Sequence, residues 1–263
     1  MTDLKLTILG CGNSTGVPAV GNFWGHCDPQ EPKNHRRRCS VAVQSTDTTL
    51  IIDTGPDFRE QVNAHNISQL DGILYTHEHA DHMHGIDDLR FYRFKQQNLV
   101  PTYLSGHTYK IVQDRFGYMF DGGNHVIYKP ILAPNIVEFG REYRCGEVAF
   151  TPFAQDHGSC ISTGYRFGNL AYSVDLIDLD EAAIETLRGI ETWIVDAAAY
   201  KNENNAVHAT IDKIIALNEN IGAAKIILTS LSIDMDYKTL CRDLPPHIRP
   251  AFDGMVIEFK AGE

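Results

Sequence analysis

The stretch Tyr75 to Gly85 reads YTHEHADHMHG and packs four histidines, one glutamate and one aspartate into eleven residues. It grows out of GILYT (Gly72 to Thr76), an apolar run that reads as a buried strand. A chain with so many lone pairs at a strand end must either leave them in solvent or make them converge. Alternate residues of an extended segment point the same way, so His77 and His79 can face one point. Asp81 and His82 then fall at the turn into the next helix, aimed at a neighbouring point, and Gly85 allows close backbone approach. A single histidine reads as a polar surface residue, whereas four in so short a span read as metal ligands. Imidazole suits zinc, iron or nickel, and carboxylate adds affinity for harder ions such as manganese. The spacing therefore predicts two adjacent sites, one on His77 and His79 and one on Asp81 and His82.

Further ligands are expected at other strand ends. VAFTPF (Val148 to Phe153) reads as a strand, and QDHGS after it offers His157. LAYSVD (Leu170 to Asp175) ends on Asp175, a carboxylate able to bridge two ions. LKLTIL (Leu4 to Leu9), SVAVQS (Ser40 to Ser45) and TLIIDT (Thr49 to Thr54) are short β-branched runs near the start. Strands then alternate with helical patterns such as DFREQVNAHN, DLDEAAIETLRG and HATIDKIIALNEN. That order predicts an α/β sandwich of two packed sheets with helices outside. With 263 residues and neither linker nor internal repeat, one domain spanning 1–263 is expected.

Composition narrows the partners. The formal charge is -11, and the only basic cluster is HRRRC (His35 to Cys39). Long nucleic acid rewards clustered Lys and Arg, so none is expected as a partner. No apolar run is long enough to span a membrane, and the opening MTDLKLTILG reads as a strand instead of a signal peptide. Six scattered cysteines without a CxxC pair read as reduced thiols, which points to the cytoplasm. Cys27 and Cys39, with His26 and His35 nearby, lack the spacing of a zinc knuckle, so no structural zinc is expected. The loop from Gly10 to Arg38 is too rich in Gly and Pro for regular structure and, at that length, reads as functional.

HEHADH resembles the HxHxDH signature of the metallo-β-lactamase fold superfamily. Asp53 in LIIDTG, then HEHADH, His157 and Asp175 fall in the order of that superfamily. The loop GCGNSTGVPAVGNFWGHCDPQEPKNHRRRCS and the closing FDGMVIEF resemble the PhnP-type branch, related to phosphoribosyl cyclic phosphodiesterases and more distantly to ribonuclease Z. The resemblance covers nearly the whole chain. It implies a four-layer αββα sandwich of two mixed sheets. It also implies two divalent ions, zinc or manganese: one on His77, His79 and His157, one on Asp81 and His82, with Asp175 bridging and Asp53 orienting the ligand loop from behind. The family supplies a last histidine after a late strand. Here that stretch reads LTSLSIDMDY, with Ser230 and Ser232 where histidines are expected, so the second site is expected to bind more weakly.

The expected reaction is hydrolysis of a small cyclic phosphate or nucleotide-like diester by a metal-held hydroxide that Asp81 orients. His208 resembles the position of the general acid in the PhnP branch; a surface histidine at a helix start is the alternative. Arg38 and Arg90, with Arg36 and Arg37, are candidates for phosphate contact, though a structural arginine is the better reading for at least two of the four. A ribonuclease Z-like nuclease, a lactonase or thioesterase, and a nucleotide-binding protein with weakened catalysis are the competing readings. A homodimer is compatible with the resemblance.

Overall fold

The structure is a computed structural model that describes residues 3–122 and 129–261. Its strands, in chain order, are β1 (Asp3–Gly10), β2 (Ser40–Gln44), β3 (Thr49–Ile52), β4 (Gly72–Leu74), β5 (Val100–Ser105), β6 (Leu132–Val137), β7 (Tyr143–Cys145), β8 (Val148–Asp156), β9 (Ile161–Phe167), β10 (Leu170–Ser173), β11 (Thr192–Asp196), β12 (Lys225–Thr229), β13 (Ile248–Pro250) and β14 (Val256–Lys260). Among the described residues they form two seven-stranded sheets, in the orders β14-β1-β2-β3-β4-β5-β6 and β13-β12-β11-β10-β9-β8-β7. Both are mixed. In the first, β1 to β3 run antiparallel and β3 to β6 parallel. In the second, β7 to β10 run antiparallel and β10 to β13 parallel. With helices on the outer faces, this is the αββα sandwich expected from the sequence.

Period-two patterning explains why the sheets face each other. Val41, Val43, Leu50 and Ile52 alternate with Ala42 and Ile51 along β2 and β3. The first set joins a core with Phe150, Tyr165, Phe167, Tyr172 and Trp193 of the opposite sheet. The second set packs against Phe58, Leu89, Tyr92 and Val112 of the covering helices. Each such residue contributes roughly 1.5–3 kcal/mol when fully buried. Both faces of the first sheet are therefore apolar, as a helix-covered parallel sheet requires.

The helices obey the same logic. Ile211–Ile221 buries Ile211, Ile214, Leu217 and Ile221, a stripe at helical spacing; Thr210 caps its start by accepting from the Lys213 N–H. Gly222, at φ +79, ends it in the left-handed conformation that glycine adopts without cost. The sequence reading did not assign β5, β6, β7, β9, β13 or the helix Gly106–Phe116. Prolines at 101 and 134 weaken the strand signal of β5 and β6, and β7 and β13 are three residues each. The loop after β1 carries only isolated bridges and a 3-10 turn at Pro32–Asn34, in keeping with its glycine and proline content. No helix among the described residues is long and apolar enough to cross a membrane.

Candidate metal centre

Parallel strands send their carboxyl ends to one edge of each sheet, where open α/β sheets gather ligands. Asp53 follows β3 and His77 follows β4; Asp175 follows β10, Asp196 ends β11 and Ser230 follows β12. Two bonds bring the two edges together. The Thr163 N–H of β9 donates to the Thr76 carbonyl at 2.8 Å, and the Tyr165 hydroxyl donates to the Tyr75 carbonyl at 2.6 Å. Glycine makes the approach possible. A Cβ on Gly55 would lie 2.1 Å from the Asp81 carbonyl oxygen, and one on Gly85 would lie 2.2 Å from the Gly55 carbonyl oxygen. Asp53, Asp175 and Ser230 adopt φ of +63, +55 and +57, a left-handed backbone that strains residues other than glycine and clusters at functional sites.

The donors converge on Asp175. Its Oδ2 lies 3.3 Å from His77 Nε2, 3.3 Å from His82 Nε2 and 3.4 Å from His157 Nε2. His77, His79, His157 and Asp175 form one group able to hold an ion, and Asp81, His82 and Asp175 form a second, so Asp175 belongs to both. The other ring nitrogens are spoken for. Thr76 has one hydroxyl proton and donates it to Asp53 Oδ2, at 2.8 Å. His77 Nδ1–H therefore donates to Thr76 Oγ1, at 3.0 Å. His157 Nδ1–H donates to the Val207 carbonyl at 2.7 Å, and His82 Nδ1–H donates to Asp53 Oδ2 at 2.7 Å. With Nδ1 so engaged, each ring turns its Nε2 toward the Asp175 carboxylate. His77 Nε2 is buried without a hydrogen-bond partner.

Lone pairs facing a carboxylate oxygen at such range need a cation or protons between them. The electrostatics of the chain alone say the same. Burial would push His82 down, yet Asp175, Asp53 and Asp81 outweigh it and hold His82 well above its usual value. Burial likewise favours neutral acid at Asp81, but His82 draws its carboxyl down to about 2. His157 and His79 are pushed down by burial, which keeps their rings neutral and able to ligate. The donor set thus fits divalent cations.

His208 sits beside this cluster. Its Nδ1–H donates to Asp196 Oδ2 at 2.7 Å, and its ring centroid lies 5.3 Å from that of His157. Burial disfavours the charged ring, but Asp196 overrides it and lifts His208 to about 9. Asp175, Asp196 and His208 make a third group of converging donors. The arginines are differently placed. Arg36 is buried and donates to the Ser232 and Met235 carbonyls and to Asn34 Oδ1, tying the long loop to the segment around Ser232. Arg38 donates to Asp57 Oδ1 and to the Ser14 carbonyl, and Arg90 to Asp87 Oδ1. Ser230 and Ser232 are buried.

Four contributors escaped the sequence reading: Thr76, the Val207 carbonyl, Asp196 and Arg115. Asp196 closes β11 much as Asp175 stands just past β10, and the same strand-end reasoning would have found it. Arg115 donates to the Glu78 carbonyl at 2.8 Å and bears no local signal.

The family model of the β-lactamase superfamily domain matches residues 48–229. The chain belongs to the β-lactamase superfamily. This superfamily member is 32% identical to a diphosphatase from the PhnP family, with TM-score 0.87 and 99% of both chains covered. It is 30% identical over 254 residues to an octanoyltransferase of Porphyromonas gingivalis, covering 96% of this chain and 51% of that protein. The chain thus spans about half the length of the curated relative it matches. The short form of human tRNase Z shares the fold at 14% identity, with TM-score 0.65 and 96% and 98% of the two chains covered. The PhnP resemblance drawn from the loop and from FDGMVIEF agrees with the first of these.

Proposed function

We propose that this β-lactamase superfamily hydrolase cleaves a P–O bond in a small phosphodiester or diphosphate, with a nucleotide-like substrate as the class. The carrying observation is Asp175 Oδ2 within 3.3–3.4 Å of the Nε2 atoms of His77, His82 and His157. The likeness to a PhnP-family diphosphatase supports phosphorus as the atom attacked.

When bound, two divalent ions supply a nucleophile at neutral pH and neutralise charge on phosphoryl oxygens. His77, His79, His157 and Asp175 would hold one, zinc or manganese, and Asp81, His82 and Asp175 the other, with Ser230 and Ser232 leaving the second short of a donor. Asp53 and Thr76 hold the rings of His82 and His77 in place. Asp81, drawn to about 2, stays ionised and can accept a proton-bearing nucleophile's hydrogen bond. His208, lifted to about 9, carries a proton at neutral pH, and Asp196 fixes its Nδ1, so its Nε2–H serves as donor to the leaving oxygen. Arg38 and Arg90 stay proposed as phosphate contacts, each by exchanging its aspartate for the substrate.

The test is a parallel assay of metal-loaded protein on bis(p-nitrophenyl) phosphate, a cyclic nucleotide, a dinucleoside diphosphate, a lactone and an acyl thioester. Turnover of the phosphorus substrates is expected. Turnover of the carbonyl substrates alone would replace this reading with its alternative, a lactonase or thioesterase.

A further inference from the structure

Helix Leu89–Gln96, reading LRFYRFKQ, turns its aromatic residues two ways. Leu89 and Tyr92 are buried in the core beneath it, as the inward stripe of a covering helix must be. Phe91 and Phe94 face outward, 62% and 75% exposed. At a spacing of three they are neighbours on the helix surface, so two phenylalanine rings stand side by side in solvent. Scattered exposed apolar residues need no explanation, but a paired set beside a groove does.

That groove runs between this helix and helix Phe58–Ala64 and holds about 620 Å³. Phe58, Val62, Ile67, Phe91 and Tyr92 give it an apolar floor and wall, while Arg59, Asn63, Ser68 and Asp88 give it a polar rim. An apolar centre inside a polar rim is the anatomy of a protein interface. Arg59 and Asp88 line the same groove, yet neither belongs to an ion pair among the described residues. The helix itself carries Arg90, Arg93 and Lys95 and no carboxylate, in a chain of formal charge -11. Two such chains can approach on this face without the mutual repulsion of their acidic excess.

We propose that the occupant is a second copy of this chain. An exposed ring pair and an open groove lie next to each other on one surface, which makes that surface self-complementary in the manner of a two-fold contact. Phe94 of each copy enters the groove of the other. The same rotation brings Arg59 of each copy to Asp88 of the other, so both unpaired charges gain a partner across the seam. The rings and the groove supply the buried centre of a contact that, in a stable dimer, covers about 800 Å² on each copy. None of the candidate metal donors lines the groove, so assembly leaves the cluster open.

Sedimentation of the full, metal-loaded chain tests it. A dimer is expected at micromolar concentration. Phe94→Asp, at an exposed position, should raise the dimer dissociation constant about thirtyfold or more, the cost of a lost aromatic anchor, with circular dichroism and metal content unchanged. Arg59→Asp and Asp88→Arg should each weaken the dimer about tenfold, because each sets like charges together. The double variant should recover wild-type assembly, since the two residues meet only across the seam. A chain that stays monomeric overturns the proposal and hands the face to a foreign partner. A dimer indifferent to Phe94→Asp, or a double variant as weak as the singles, puts the contact elsewhere and overturns it equally.

Discussion

Nδ1 of His82 lies 2.7 Å from Oδ2 of Asp53, so a carboxylate outside the cluster sets the face that His82 presents to it. The same oxygen receives the Thr76 hydroxyl, and through Thr76 it also governs His77. One carboxylate thereby aligns a ligand in each of the two candidate sites. Asp53→Ala should weaken zinc binding about 10- to 100-fold, the usual cost of removing such a support. Competition with a chromophoric chelator measures it, and wild-type affinity in the variant would strip Asp53 of that role.

His208 and Asp196 make a pH-dependent contribution to the metal-free fold. The folded value of His208, about 9, stands above the ordinary 6.5, despite burial, because of Asp196. The stabilisation is therefore complete below about pH 6.5 and disappears as pH climbs through 9. The shift bounds it at about 3 kcal/mol. Urea midpoints of wild type and His208→Gln, after chelation, should differ most near pH 6 and converge by pH 10. A gap of constant size across that range contradicts the pairing.

His208→Ala should also slow turnover of substrates with alkyl leaving groups by about 10²- to 10⁴-fold, the span of a lost general acid. An aryl phosphodiester, whose leaving oxygen needs no proton, should suffer far less. Equal losses on both would move His208 from proton donor to packing.

Elemental analysis of protein purified without chelator should give one tightly held ion, with a second acquired only at added millimolar metal. Ser230→His supplies the donor that LTSLSIDMDY lacks, and histidine is among the residues that tolerate the left-handed φ of this position. The variant should retain the second ion through dialysis. Two retained ions in the wild type would show that the serines are compensated elsewhere.

Arg36→Ala should cost about 3 kcal/mol or more, because three oxygen acceptors lose a buried charged donor together. A urea titration reads it. A loss under 1 kcal/mol would mean that water replaces the guanidinium.

The histidine-rich strand end was legible because its ligands are adjacent in sequence and its periodicity is local. His157 and Asp175 were legible by position at strand ends and by resemblance, and Asp53 by resemblance alone. The order of strand runs and helical patterns along the chain announced the sandwich. What escaped depends on pairs far apart in the chain. Arg36 meets Ser232 across 196 positions and Arg115 meets Glu78 across 37, and neither end carries a mark of the other. The tautomers of His77 and His157 depend on a threonine hydroxyl and a backbone carbonyl, which no motif encodes.

Strand β14 pairs with β1 in a register that sets Asp3 opposite Lys260. On the ribosome, every donor up to Asp175 emerges well before Val256–Lys260 does. Until that strand arrives, β1 presents a bare edge of N–H and C=O groups, the template on which other chains stick. Contacts of such long separation also form slowly. A nascent chain of this protein thus passes through an interval in which its metal donors up to Asp175 have emerged while the outer edge of β1 is still unpaired.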